Sequence, residues 1–160
     1  MKRCRQLFGV LLVVCLLTAI LSVTAWAVDE NDRNGDGYHD GDLAVINALA
    51  ERVGENGGAD WSRITWNTES PKRVTYLNLS NTVLSGVLDV SALTNLKTLY
   101  CSWTGITELD VSALTNLEWL NCRGTDITEL DVTALTNLET LGCYNTGIAE
   151  LEVSALTNMK

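Results

Sequence analysis

The chain is 160 residues long and carries 20 acidic against 11 basic side chains, a net charge of −9. That length supports one small domain with a modest core. The acidic balance repels nucleic-acid phosphates and anionic lipid, which excludes both as partners and leaves neutral, cationic or calcium-bridged ones.

Lys2, Arg3 and Arg5 open the chain, an apolar run follows from Leu7 to Val23, and Ala25-Trp26-Ala27 closes it with the small-x-small pattern of a cleavage site. Residues 1–27 therefore read as an export signal, which predicts a secreted or cell-surface protein. An uncleaved anchor is the alternative, because a spanning helix needs roughly 20 apolar residues and Leu7 to Val28 comes close. Val14 stands where a small residue should precede a lipid-bearing cysteine, so Cys15 does not read as one. Cleavage after Ala27 removes three of the 11 basic residues and no acidic one, leaving eight against 20 and a charge of −12.

Residues 28–42 form an acidic leader that contains Asp32-Arg33-Asn34-Gly35-Asp36-Gly37-Tyr38-His39-Asp40-Gly41-Asp42. Hard oxygen donors at alternate positions suit calcium, and a glycine at the sixth position allows a sharp turn. The run resembles the calcium loop of dockerin and EF-hand modules. The resemblance implies side-chain ligands from Asp32, Asn34 and Asp36, the backbone carbonyl of Tyr38, and a direct or water-bridged contact from Asp40. It departs from the pattern at its end, where Leu43 takes the twelfth position and Asp42, the sixth candidate ligand, stands one place early, and the loop has no second copy. A solvated acidic leader that caps a helix is the competing reading.

Residues 43–73 read as an N-terminal cap. Asp42 is a good N-cap, and Val45, Ile46, Leu49 and Val53 recur at helical spacing until Gly54 and Glu55-Asn56-Gly57-Gly58. This predicts a helix from about Leu43 to Val53. Trp61 and Trp66 follow in a polar stretch, with Pro71 just before the repeats. Packing of these tryptophans over the open end of the repeats outweighs a ligand role for them.

From Val74 onward the chain repeats. Leu96 to Asn116, Leu117 to Asn137 and Leu138 to Asn158 are each 21 residues long, and Val74 to Asn95 matches with one extra residue. The shared pattern is L-x-x-L-x-C-x-x-T-x-I-T-E-L-D-V-S-A-L-T-N. One such unit cannot bury its own apolar side and becomes stable only when neighbours stack on it. Period-2 alternation sends Leu99 and Cys101 inward and Thr98, Tyr100 and Ser102 outward along a short strand. The pattern resembles a leucine-rich repeat, and the L-x-x-L-x-C half followed by L-D-V-S resembles the short 21-residue class common on bacterial surface proteins. The resemblance runs from Val74 to Lys160. It implies an α/β repeat solenoid, a leucine-rich-repeat coil with a short parallel β-sheet on its concave face and a helical cap at its N-terminal end. Met159 and Lys160 take the first positions of a fifth unit, so further repeats are expected beyond them.

Beyond the export segment only Cys101, Cys122 and Cys143 occur, an odd number at equal spacing that makes no disulfide framework. A straight ladder without a fourth ligand does not suit a metal either. The thiols read as small buried hydrophobes. Thr82, Thr104, Thr125 and Thr146 form a second ladder, and Asn95, Asn116, Asn137 and Asn158 a third, both expected to satisfy turn backbone. A larger leucine-rich-repeat class has Asn where these threonines stand, so the turn geometry is open at this point.

The outward strand positions carry the candidate ligand-binding residues Tyr76, Asn78, Tyr100, Trp103, Trp119, Arg123 and Tyr144. Aromatic residues grouped around an arginine have the make-up of an interface hot spot, which points to a protein partner. Rings beside Asn and Ser also suit a glycan, and a purely structural spacer is a third reading. Glu108, Asp110, Glu129, Asp131, Glu150 and Glu152 recur on the opposite side as solvated acid ladders. No G-x-S-x-G or P-loop pattern is present, and the one histidine, His39, lies in the leader. The sequence predicts a binding module without catalytic apparatus, calcium being its one candidate cofactor.

Overall fold

The computed structural model describes residues 31–53 and 63–160. The export segment, the stretch 55–58 and Trp61 lie outside the described residues. Among the described residues, helix α1 (Asp40–Val53) precedes seven strands: β1 (Ile64–Trp66), β2 (Val74–Asn78), β3 (Ser85–Asp89), β4 (Thr98–Tyr100), β5 (Gly105–Asp110), β6 (Trp119–Asn121) and β7 (Thr140–Gly142). Strands β1-β2-β4-β6-β7 form one sheet, antiparallel at β1 and parallel thereafter, while β3 and β5 pair separately in parallel. Each repeat therefore gives one short strand to the long sheet and returns on the other side of a coil. Leu77, Leu99, Leu120 and Leu141 stand in register across the long sheet. The fold is the repeat solenoid with a parallel sheet along one side and a helical cap at one end, and among the described residues helix is confined to the cap.

A single dry spine runs through the coils. Leu77, Leu99, Leu120, Cys101, Cys122, Ile106 and Ile127 are all fully buried. Burying one such aliphatic side chain stabilises by roughly 1.5–3 kcal/mol relative to exposing it, and repetition makes this the main favourable term. The return path follows from the V-S-A-L-T-N-L half of the repeat. Leu114 N–H donates to Val111 O at 2.9 Å and Leu117 N–H to Leu114 O at 2.8 Å, two tight turns in succession. Every third residue then faces inward, and Val111, Leu114 and Leu117 are buried.

The polar ladders serve the same turns. Thr82, Thr104, Thr125 and Thr146 each donate Oγ1 at 2.7 Å to the carbonyl three residues earlier. Asn116, Asn137 and Asn158 donate Nδ2 to Thr94, Thr115 and Thr136 carbonyls of the preceding coil at 2.8–2.9 Å. Threonine thus closes its own coil and asparagine stitches one coil to the last. The β3–β5 register shifts between Gly86 and Val87, which pair with Ile106 and Glu108 and leave Thr107 of β5 without a partner; Gly86 stands there at φ +73°, a backbone state that glycine adopts without strain.

Asp110 and Asp131 do more than solvate the surface. Ser112 donates both N–H and Oγ to Asp110 Oδ1 at 2.9 and 2.7 Å, and Thr133 does the same to Asp131. Asp89 with Ser91 repeats the arrangement. The serine or threonine hydroxyl, then its backbone N–H, holds each of these aspartates below the usual carboxylate range. A lowered folded pKa contributes stability that is fully present above the ordinary value of about 3.9 and is lost as pH falls through the folded value. Thermal melts between pH 6 and pH 2 are expected to show this loss only below about pH 4, and Ser112→Ala should flatten it. An unchanged acid profile in that variant would remove the turn role.

At the N-terminal end, α1 begins at Asp40, earlier than the Leu43 start that the pattern predicts. The capping assignment also changes. Asp42 N–H donates to Nδ1 of His39 at 3.3 Å, so His39 holds the helix start, and Asp42 lies inside the first turn, fully buried. Its Oδ2 accepts Val74 N–H at 2.7 Å, and its Oδ1 meets Arg73 Nε at 3.1 Å and Nη2 at 3.0 Å. A buried carboxylate is tolerable only when paired in this way, which is why the acid turns toward the first coil. Leu49 and Val53 bury their side chains at the end of the spine, and Trp66 packs partly against it as expected.

Candidate functional site

The sheet alternation that buries the leucines displays a second set of side chains on the outer face. Tyr76 and Asn78 come from β2, Tyr100 from β4 and Trp119 from β6. Trp103, Arg123 and Tyr144 follow the strands, where the ladder continues through Trp103 N–H to Arg123 O at 2.9 Å and Gly124 N–H to Tyr144 O at 3.0 Å. The structure places four of the seven expected residues on strands of the long sheet and the other three directly after those strands. Their roles differ. Tyr76 and Tyr100 pack against each other, ring centroids 5.9 Å apart. Asn78 turns inward along the chain, accepting Ser80 N–H at 3.0 Å, so its polar atoms are partly used by backbone. Trp103, Trp119 and Tyr144 are 48%, 41% and 57% exposed.

One feature of this face is absent from the sequence pattern. Asn81, Trp103, Gly124 and Asn145 occupy the same place in successive coils, and all have positive φ, from +54° to +64°. Glycine and asparagine enter this left-handed region readily, whereas a bulky side chain costs roughly 1–2 kcal/mol there. Trp103 is held in it while exposed. Gly124 in the next coil makes this possible, because a Cβ at that position would run into the Trp103 ring. Asn and Gly at three of the four equivalent positions were the signal that could have revealed the turn.

Arg123 stands among these rings. Its guanidinium lies 5.6 Å from the Tyr144 ring centroid, within cation–π range. Its Nε is buried without a hydrogen-bond partner, a state that costs roughly 1–3 kcal/mol. Among the described residues it pairs with no carboxylate, whereas Lys97 and Lys160 at the flank are joined to Glu118 and Glu139 at 2.8 and 2.6 Å.

In the leader, Asp32, Asn34, Asp36 and Asp40 are suited in chemistry to a hard cation, yet their oxygens are turned onto the loop's own backbone. Asp32 accepts Asp36 and Gly37 N–H at 3.1 and 3.0 Å, Asn34 accepts Asp36 N–H at 3.0 Å, Asp36 accepts Tyr38 N–H at 2.9 Å, and Asp40 accepts Arg33 N–H at 3.2 Å. Asp42, the sixth residue expected to hold calcium, is instead spent on Arg73 and Val74. Tyr38 packs its ring edge-on against Trp66 at 4.9 Å, with Lys72 Nζ 4.7 Å from its centroid. Among the described residues no group of three His, Cys, Asp or Glu side chains converges. In this arrangement the loop fastens the leader to the cap.

The thiol ladder is inert by burial. Burial, with the neighbouring thiol adding to it, pushes Cys122 up to about 12 and moves Cys101 in the same direction. A thiol is nucleophilic only as thiolate, a form that burial disfavours at both positions. Cys143 in the last coil is free and partly exposed.

The architecture and its ladders are those of a leucine-rich-repeat solenoid, and solved structures of that fold resemble it. The functional domain of InlJ from Listeria monocytogenes, which includes a cysteine ladder, is 36% identical with a TM-score of 0.52. That match covers 53% of this chain, which spans 19% of the InlJ domain. The leucine-rich-repeat ectodomain of the receptor kinase SOBIR1 from Arabidopsis thaliana matches at TM-score 0.60 and 19% identity, covering 76% of this chain and 77% of that one. A plant ice-binding protein matches at TM-score 0.56 and 16% identity, over 72% of this chain and 42% of its own. The last two show likeness of fold alone. The chain matches no protein-family model and no curated protein.

Proposed function

We propose that this protein is a non-catalytic interaction module, exported from a bacterial cell, whose outer sheet face docks a protein partner. The observation that carries the reading is the half-exposure of Trp103, Trp119 and Tyr144, which stand on or shortly after strands of the long sheet. Such rings offer broad contact area at low entropy cost and dominate interface energetics. The strain accepted at Trp103 supports the same reading, since left-handed backbone at a bulky residue concentrates at functional sites. The likeness to the functional domain of InlJ from Listeria monocytogenes, its cysteine ladder included, supports a bacterial source for the module. Among the described residues no helix is long and apolar enough to cross a membrane.

The test is a panel of purified cell-surface proteins run beside a glycan array, with the full chain and its Trp103→Ala/Trp119→Ala double variant as probes. A protein ligand should be bound by the wild type and lost by the double variant by about a hundredfold or more, with an unchanged circular dichroism spectrum. Undiminished binding by the double variant would move the site elsewhere. Signal confined to sugars would replace the protein partner by a glycan.

A further inference from the structure

We propose that Arg123 is the anion-recognition point of this face, and that the partner meets it with an aspartate or glutamate side chain flanked by an apolar residue. The inference rests on the docking role above and names the chemistry of the partner. Three observations carry it. Arg123 is the one charged residue among the outward side chains of the four coils, in a chain whose net charge is −9. At the border of the sheet Lys97 and Lys160 are already joined to Glu118 and Glu139 and Arg63 donates to Ser80 O at 3.3 Å, whereas Arg123 pairs with no carboxylate among the described residues. Finally, Nε of Arg123 is buried with no acceptor, although its guanidinium is fixed in place beside Tyr144.

A guanidinium presents five N–H groups in a planar fork that matches a carboxylate, and its charge makes each such hydrogen bond stronger than a neutral one. Docking would also exclude water around it and so raise the value of the pair. Trp103 and Trp119 supply apolar contact on the coils before and within which Arg123 stands, which is why the partner's acid needs an apolar neighbour. Glu108, Asp110, Glu129 and Asp131 lie on the return side of the coils, and Glu118 and Glu139 at the border of the sheet are joined to Lys97 and Lys160. A charge-bearing protein segment is favoured over a neutral sugar because a neutral ligand leaves the guanidinium without its counter-charge.

The experiment uses a displayed library of random twelve-residue peptides selected on the full chain, on Arg123→Gln and on Arg123→Glu. Wild type should enrich peptides that carry Asp or Glu beside an apolar or aromatic residue. Affinity of a selected peptide should fall about thirtyfold or more on Arg123→Gln, Arg123→Lys should recover part of it, and Arg123→Glu should enrich Lys or Arg at the same place. Melting curves of the variants check that each is folded. Enrichment without an acidic residue, or equal affinity on Arg123→Gln, would overturn the inference while leaving docking by the tryptophans intact. Failure to enrich any peptide whose binding depends on Trp103 and Trp119 would overturn both, and an Arg123-dependent signal from acidic sugars alone would overturn the protein source of the carboxylate.

Discussion

Asp42→Ala is expected to destabilise the fold by about 3–5 kcal/mol, the cost of stripping one partner from a buried ion pair. The variant leaves Arg73 without its carboxylate and Val74 N–H without the acceptor that now stands at 2.7 Å. Against a total stability of roughly 5–15 kcal/mol for a small domain, this is a large fraction, and a fall in Tm of about 10–20 °C should follow. The effect reaches beyond the pair because Asp42 is the polar bolt between α1 and the first coil, beside the apolar seal made by Leu49 and Val53. Asp42→Asn keeps one acceptor and should lose less. A double variant that removes the charge at both Asp42 and Arg73 should recover part of the loss, since no unpaired charge is then buried. A melting point within two degrees of wild type, measured on Asp42→Ala, would show that the cap is held by its apolar contacts alone.

The comparison of Asp42 with the repeats shows what the sequence made legible. Repetition of Leu99, Cys101 and Ile106 through the coils revealed the spine, because the same physical requirement is stated several times over and a single misreading cannot hide it. The inward thiols and the turn roles of Thr104 and Asn116 followed from that register. Asp42 is stated once. Its place at the head of an apolar helical pattern is equally that of an N-cap and of a buried acid, and only the three-dimensional neighbour Arg73, far along the chain, decides between them. The same ambiguity covered the calcium-like loop, where oxygen donors that can gather around an ion can also accept the N–H groups of a tight turn. Likewise, Asp110 read as surface charge because its partner is a serine two residues away, a local bond that leaves no trace in hydrophobic periodicity. On the long sheet, the outward places of Tyr76, Tyr100, Trp119 and Tyr144 were readable from period-2 alternation, whereas Trp103 is out of phase with it and the isolation of the Arg123 charge required coordinates.

Leu120→Ala should destabilise the protein by about 2–5 kcal/mol, and Leu141→Ala by distinctly less. The two residues are equivalent in the repeat and adjacent in the sheet register, so side-chain chemistry and local backbone are the same in both. They differ in cover. Leu120 is fully buried between neighbouring coils, whereas Leu141 is only partly buried at the last described coil, as are Cys143, Ile148 and Leu151 beside it. If stability arises from each coil covering the one before, the cavity left at Leu120 loses contacts on two sides and the one at Leu141 on one. Because coupling runs only between neighbours, the Leu120 variant should also uncouple the fourth coil, and melts followed by tryptophan fluorescence and by far-ultraviolet circular dichroism should then separate. Equal losses at the two positions, with coincident melts, would mean that the coils are held by something other than stacking on one another. In that case the rigidity on which the exposed Trp103, Trp119 and Tyr144 depend would have no source in the repeat.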